Sequence, residues 1–177
     1  MADRLVARHS GLSGARILDF GTGSGRNAAA LRAAGLDLTP LTDGDNAADL
    51  PRRTFVAALS THALLHGTPQ DIAQRLRCIG RALIAGGRLY ATFGSTHDAR
   101  YGIGKRLGAR TFAPDAGDEC GIAHTYFDET AVREILEPAF EPLSLEEVDV
   151  DAIAGTWAHP STPLRGAVHW FAEAIVL

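Results

Sequence analysis

A short apolar run, Arg16 to Phe20 (RILDF), stops at a glycine-rich turn, GTGSG, and gives way at once to RNAAALRAAG, a stretch of strong helix formers closed by Gly35. The order is strand, tight turn, helix. Gly21, Gly23 and Gly25 fall at the carboxyl end of the strand. The backbone there must turn sharply and come close to a ligand, and only glycine allows both without a Cβ clash. A helix beginning near Arg26 directs its first N–H groups into the same crevice, which favours an anionic group. A glycine triplet also occurs as a plain structural turn, so its weight depends on the rest of the chain.

Along that chain the apolar pattern switches between period 2 and period 3.6, which predicts an alternating β/α layout. Leu36 to Leu41 alternates, and Pro40 removes one ladder donor, as on an edge strand. Phe55 to Ser60 is a continuous apolar run, as in a strand covered on both faces. From Thr68 to Leu83 a helix is predicted, with Thr68 as N-cap, Pro69 at its first position and Asp71 in an acidic first turn. Ile72, Leu76, Ile79 and Leu83 share one of its faces. Gly86 and Gly87 end it, and Arg88 to Phe93 begins another strand. A second helix is expected from Asp128 to Glu137, then strands over Leu143 to Val150 and Ala167 to Leu177. Between Phe93 and Asp128 lie glycines 94, 102, 104, 108, 117 and 121 and no sustained period, with room for a short helix around Arg100 to Leu107. Such long loops usually carry function, so 94–127 is expected to be a lid or substrate-facing segment of a single 177-residue domain.

The balance of 17 basic against 21 acidic residues gives a net charge of −4, so no global positive field attracts nucleic acid. Thr54 to Asp71, the longest nearly uncharged stretch, is interrupted well short of the roughly 20 apolar residues a spanning helix needs, and no membrane partner is expected. The first residues contain no apolar run of the kind a signal sequence carries. Cys78 and Cys120 stand isolated, at neither disulfide nor zinc spacing, and read as free thiols. A cytoplasmic protein is the expectation.

The dinucleotide fingerprint needs a glycine where Arg26 stands, which disfavours NAD. Asp19 followed by GTGSGRN resembles instead motif I of the class I S-adenosylmethionine-dependent methyltransferases, D-x-G-x-G-x-G. Four segments extend the resemblance in order over about three quarters of the chain. ARILDFGTGSGRNAAALRAAGLDLTPL, FVAALSTHALLHGTPQDIAQRLRCIGRALIAGGRLYATFGS, AHTYFDETAVREILEPAFEPLSLEEV and HWFAEAIVL are similar, in that order, to the family's first two strands, its fourth strand with the following helix, its fifth strand and its terminal hairpin. The flavour is that of small-molecule, tellurite-resistance-type enzymes. The resemblance implies an α/β three-layer sandwich with a Rossmann-like, mostly parallel sheet and an antiparallel last strand. It also implies S-adenosylmethionine as cofactor and methyl transfer to a small molecule.

One departure stands out. The family usually places an acidic residue after its second strand to grip the ribose, then a helix and a third strand. Here Leu41 runs directly into TDGDNAADLPRRTF, so that position is Thr42 or Asp43, and the third strand with its helix is expected to be missing. Asp43, Asp45 and Asn46 are the nearby groups able to contact ribose or adenine, and they equally fit a polar turn. An uncovered second strand predicts either a homodimer through that edge or a covering segment. The same departure leaves open a protein that binds the cofactor without transferring methyl groups.

Methyl transfer is an in-line displacement that requires alignment, exclusion of water and, for O–H or N–H acceptors, a proton acceptor. No metal is expected. HALLH sets His62 and His66 at zincin spacing, but Ala63 stands where such a site has its glutamate, and Gly67 and Pro69 break the helix it needs. The resemblance implies a cofactor grip by Asp19, Gly21, Thr22, Gly23, Gly25 and Asn27 at the glycine turn. It directs Ser60 and Thr61 to the cofactor's amino group, and His62 and His66 to the substrate. His124, with His97, Tyr101, Tyr126 and Phe127, belongs to the lid, and His66, His62 and His124 are the base candidates. His169 and Glu173 are read as a structural pair on the last strand, and Trp157 and Trp170 as packing.

Overall fold

The computed structural model describes residues 1–12, 14–23, 25–42, 45–152 and 166–177, so Asp43 and Trp157 lie outside the described residues. In chain order the helices are α1 (Ala2–His9), α2 (Arg26–Ala33), α3 (Pro69–Ala82) and α4 (Glu129–Leu136). The strands are β1 (Arg16–Phe20), β2 (Asp37–Leu41), β3 (Phe55–Ser60), β4 (Leu83–Ser95), β5 (Lys105–Arg106), β6 (Thr111–Ala113), β7 (His124–Phe127), β8 (Phe140–Asp149) and β9 (Val168–Val176).

Strands β2, β1, β3 and β4 are consecutive parallel neighbours, and β9 adds antiparallel to β4, followed by β8. Helices cover both faces. Leu5 of α1 and Leu31 of α2 pack with Ile17, Ala57, Leu59 and Tyr90 on one side. Ile72, Leu76 and Ile79 of α3 pack with Val132 and Leu136 of α4, Leu18, Leu89 and Phe93 on the other. Alternate residues of each strand thus feed opposite cores, which is why the central strands read as unbroken apolar runs. This is the three-layer α/β sandwich that the family resemblance implied.

Several boundaries differ from the expected ones. α1 was not foreseen, because only Leu5 and His9 of its eight residues are buried. α3 stops at Ala82, and β4 starts at once: its register against β3 jumps from Phe55↔Leu83 to Ala57↔Arg88, and the excess residues are absorbed where Gly86 has φ +74°. Within 94–127 no helix forms at 100–107. Gly102 and Gly104 both have φ +85°, and a Cβ on Gly104 would meet the Ala113 carbonyl oxygen at 2.1 Å. β5 and β6 form a small hairpin there, and β7 returns parallel to the end of β4 through Gly94↔Tyr126. Among the described residues no strand pairs the outer side of β2, and a 3-10 turn at Ala47–Asp49 leads from it towards β3. No helix among the described residues is long and apolar enough to cross a membrane.

Candidate functional site

The carboxyl ends of β1, β2 and β3 meet at the glycine turn. Gly21 N–H and Thr22 N–H both donate to the Leu41 carbonyl, at 2.9 and 3.2 Å, which ties the turn to the end of β2. Asp19 is buried, and its Oδ2 accepts from the Thr22 hydroxyl at 2.8 Å. Burial raises its carboxyl above the usual range, against the lowering effect of that hydrogen bond. Gly21, Gly23 and Gly25 have φ +70°, +50° and +74°, a region ordinary side chains avoid. The three differ in their surroundings. A Cβ on Gly21 would lie 2.2 Å from the Ala63 Cβ, so that glycine is required for packing against the loop after β3, whereas among the described residues a Cβ on Gly23 would meet nothing nearer than the Gly21 carbonyl oxygen at 4.0 Å. Gly25 is the N-cap of α2 and supplies no side-chain cap, and Asn27 Nδ2 donates to Thr61 Oγ1 at 2.9 Å, linking α2 to the end of β3.

Beside the turn opens a cavity of about 550 Å³, walled by Gly21, Thr42, Asp45, Asn46, Ala63 and His66. Asp45 and Asn46 also serve their own turn. Asp45 Oδ2 accepts from the Thr42 N–H and hydroxyl at 2.7 and 2.8 Å, which holds its carboxyl below the usual range, and Asn46 Oδ1 accepts from Ala48 N–H at 3.1 Å. The Ser60 hydroxyl, also at the end of β3, is buried with no hydrogen-bond partner among the described residues.

The loop between β3 and α3 carries the histidines. His62 has φ +66°, a strained conformation for a ring-bearing residue, and its N–H donates to Thr92 Oγ1 at 2.9 Å. β7 is stitched onto this loop. Gly67 N–H donates to the Ala123 carbonyl at 2.7 Å, Thr125 N–H to the Leu65 carbonyl at 2.8 Å, and His66 and His124 form a bridge pair. All three sequence candidates then converge on one residue that sequence reasoning missed, Glu119. Its carboxylate lies 3.1 Å from His124 Nε2, 3.3 Å from His66 Nε2 and 3.6 Å from His62 Nε2. Contacts with His124, His62 and His66, in that order of strength, hold the Glu119 carboxyl well below the usual carboxylate range. Burial pushes His62 below the ordinary histidine value.

Behind this cluster, His169 stacks on His62 with ring centres 5.4 Å apart, and its Nε2 lies 3.8 Å from Asp98, which is held by Arg100 at 2.7 Å. Burial lowers the His169 imidazole as well. The expected partnership of His169 with Glu173 is therefore not formed: Glu173 pairs with Arg88 across to β4. Period-2 geometry put both on one face, but four residues of strand carry them to different neighbours. His97 stays exposed and meets Glu147 at 2.9 Å, away from the cluster.

No family model matches this chain, and no curated protein matches it. Solved structures do. A S-adenosylmethionine-dependent methyltransferase from Methanosarcina mazei superposes with TM-score 0.74 at 18% identity, covering 97% of each chain. The Burkholderia thailandensis 1,6-didemethyltoxoflavin-N1-methyltransferase, solved with 1,6-didemethyltoxoflavin and S-adenosylhomocysteine bound, gives 0.71 at 19% identity over 99% of this chain and 76% of that one. SpnF, a 4+2 cyclase, gives 0.60 at 19% identity over 98% and 79%. The chain has the Rossmann-like fold of the class I S-adenosylmethionine-dependent methyltransferases.

Proposed function

We propose that this chain binds S-adenosylmethionine in the cavity beside the glycine turn and transfers its methyl group to a small-molecule acceptor at the histidine cluster. One observation carries the reading: the left-handed glycine turn, pinned to the end of β2 and packed on Ala63, opens onto a cavity that His66, a member of that cluster, also lines. Cofactor and acceptor sites thus share a boundary residue. The residues fit the group, since Gly23 leaves open space for close backbone approach and the Ser60 hydroxyl is an unpaired buried polar atom near the end of β3. Thr42, Asp45 and Asn46 would meet the ribose and adenine side, with Asp43 beside them in sequence, and the first turn of α2 would face the carboxylate.

The bound cofactor supplies an electrophilic methyl on a sulfonium. The protein's part is to align the acceptor opposite it, exclude water and take up the acceptor's proton at the histidine cluster. Segment 94–127 supplies Glu119 and His124 to that cluster, which supports its reading as the substrate-facing cover. The direct passage from β2 towards β3 supports a sheet shortened relative to the family. A second reading, cofactor binding without methyl transfer, is favoured by the cyclase among the structural neighbours. Calorimetry with S-adenosylmethionine, S-adenosylhomocysteine and NAD tests the binding. The adenosyl ligands bind the wild type, NAD binds more weakly, and Gly23→Val abolishes adenosyl binding by filling the open space. Equal or tighter NAD binding overturns the proposal, and production of S-adenosylhomocysteine with a methylated acceptor decides between the two readings.

A further inference from the structure

The convergence of three imidazoles on one carboxylate exceeds what proton uptake requires. We propose that Nε2 of His62 and His66, together with Oε1 of Glu119, binds one divalent transition metal, with zinc the ion this donor set fits, on the acceptor side of the proposed cofactor cavity. Around a tetrahedral zinc with bonds of about 2.0 to 2.1 Å, neighbouring ligand atoms stand about 3.3 Å apart. Glu119 Oε1 lies 3.3 Å from His66 Nε2 and 3.6 Å from His62 Nε2, close to that edge length, and one ligand atom each from His62, His66 and Glu119 lie within 4.8 Å of one another.

The hydrogen bonding points the same way. His124 Nδ1 lies 2.8 Å from the Ile122 carbonyl oxygen, which can only accept, so Nδ1 carries a proton. Its Nε2 meets Glu119 Oε2 at 3.1 Å, which orients the carboxylate with Oε1 towards His62 and His66. A contact that fixes a ligating carboxylate in this way is the usual outer support of a metal site. His66 Nε2 is buried without a hydrogen-bond partner, although it stands 3.3 Å from the same carboxylate. Nitrogen donors with a single carboxylate suit zinc and iron better than magnesium or calcium, which prefer oxygen. Asp98 is not part of the set, because Arg100 already holds it through both oxygens.

The sequence concealed this site because zincin spacing implies a glutamate at position 63, whereas the carboxylate comes from Glu119, far along the chain. The site deepens the proposed function: three protein ligands leave a fourth position where an oxygen or sulfur acceptor could bind, and the ion, rather than a free His62 or His66 imidazole, would then promote loss of the acceptor's proton. It rests on that reading only for the identity of what faces the metal.

Metal binding is tested without cofactor or acceptor. The whole chain, stripped with EDTA and dialysed, is titrated with zinc chloride by calorimetry and with cobalt chloride by visible absorption. The expected result is one equivalent of zinc and the visible bands of protein-bound cobalt. His66→Ala should lose both signals, and Glu119→Gln should weaken zinc binding by about 10- to 100-fold or more. His97→Ala, which alters an exposed histidine outside the cluster, should bind as the wild type does. Circular dichroism melts identify variants that fail to fold, and the wild-type cobalt spectrum does not depend on any variant. Wild type that takes up no stoichiometric metal, or folded His66→Ala that retains the cobalt bands, overturns the inference. S-adenosylhomocysteine titrated in parallel separates the two proposals: zinc bound without it keeps the metal site and removes the methyltransferase reading, and the reverse removes the metal site alone.

Discussion

His66 is the residue on which the two halves of the site depend. It lines the cavity beside the glycine turn, its Nε2 faces Glu119, its carbonyl accepts from Arg75, and its backbone bridges to His124. Replacing it with alanine should therefore impair the acceptor side far more than the cofactor side. We expect His66→Ala to lower turnover by roughly 10- to 1,000-fold while S-adenosylhomocysteine affinity changes much less. Single-turnover rates and calorimetry on the same preparation check this. Unchanged rates, or a lost affinity that accounts for the whole defect, would remove His66 from the mechanism. The histidines were legible individually, since HALLH and the AHTYF histidine stand out in a chain with 7 histidines. Glu119 was not legible, because nothing in PDAGDEC separates one carboxylate on a polar turn from its neighbours. Only the stitching of β7 onto the 65–67 loop brings that turn to the imidazoles.

Among the elements, α3 bears most directly on the site, because it starts immediately after the histidine loop. Thr68 Oγ1 accepts from Asp71 N–H, and Asp71 Oδ2 accepts from Thr68 N–H at 2.9 Å, a reciprocal capping box with Pro69 at the first helical position. Thr68→Ala should destabilise the protein by about 1 kcal/mol and Thr68→Ser by much less, as read from denaturant midpoints at constant slope. Equal midpoints for wild type and Thr68→Ala would show that packing of Ile72, Leu76 and Ile79 alone sets the start of α3. This helix was legible because cap, proline and apolar period all agree. α1 was not, since a helix of eight residues with two buried positions leaves too sparse a period to read. β7 escaped for a different reason. Its four residues are all buried, so no alternation marks them, and besides β6 its partners are the end of β4 and the loop before α3, both distant in sequence.

At the scale of the whole molecule, the site sits where parallel α/β sheets usually bind ligands, outside the carboxyl ends of the strands. The cavity wall is assembled from the end of β1, the end of β2 and the loop between β3 and α3, elements joined mainly by the sheet and by the Gly21 contact with Ala63. A ligand that touches all of them binds the folded chain and not the unfolded one, so it stabilises the whole fold by mass action. At a free concentration 100 times its dissociation constant, S-adenosylhomocysteine should add about 2.7 kcal/mol. For a chain of this size each kcal/mol raises the melting midpoint by about 2 to 4 °C, so a rise of roughly 5 to 10 °C is expected. NAD at the same concentration should raise it far less. Gly23→Val should melt lower than the wild type because of its positive φ, and it should show no rise with S-adenosylhomocysteine. The ligand-dependent rise, not the absolute midpoint, is the measurement. A rise that survives in Gly23→Val would place the adenosyl ligand somewhere other than the glycine turn, and an equal rise with NAD would remove the preference for the adenosyl ligand.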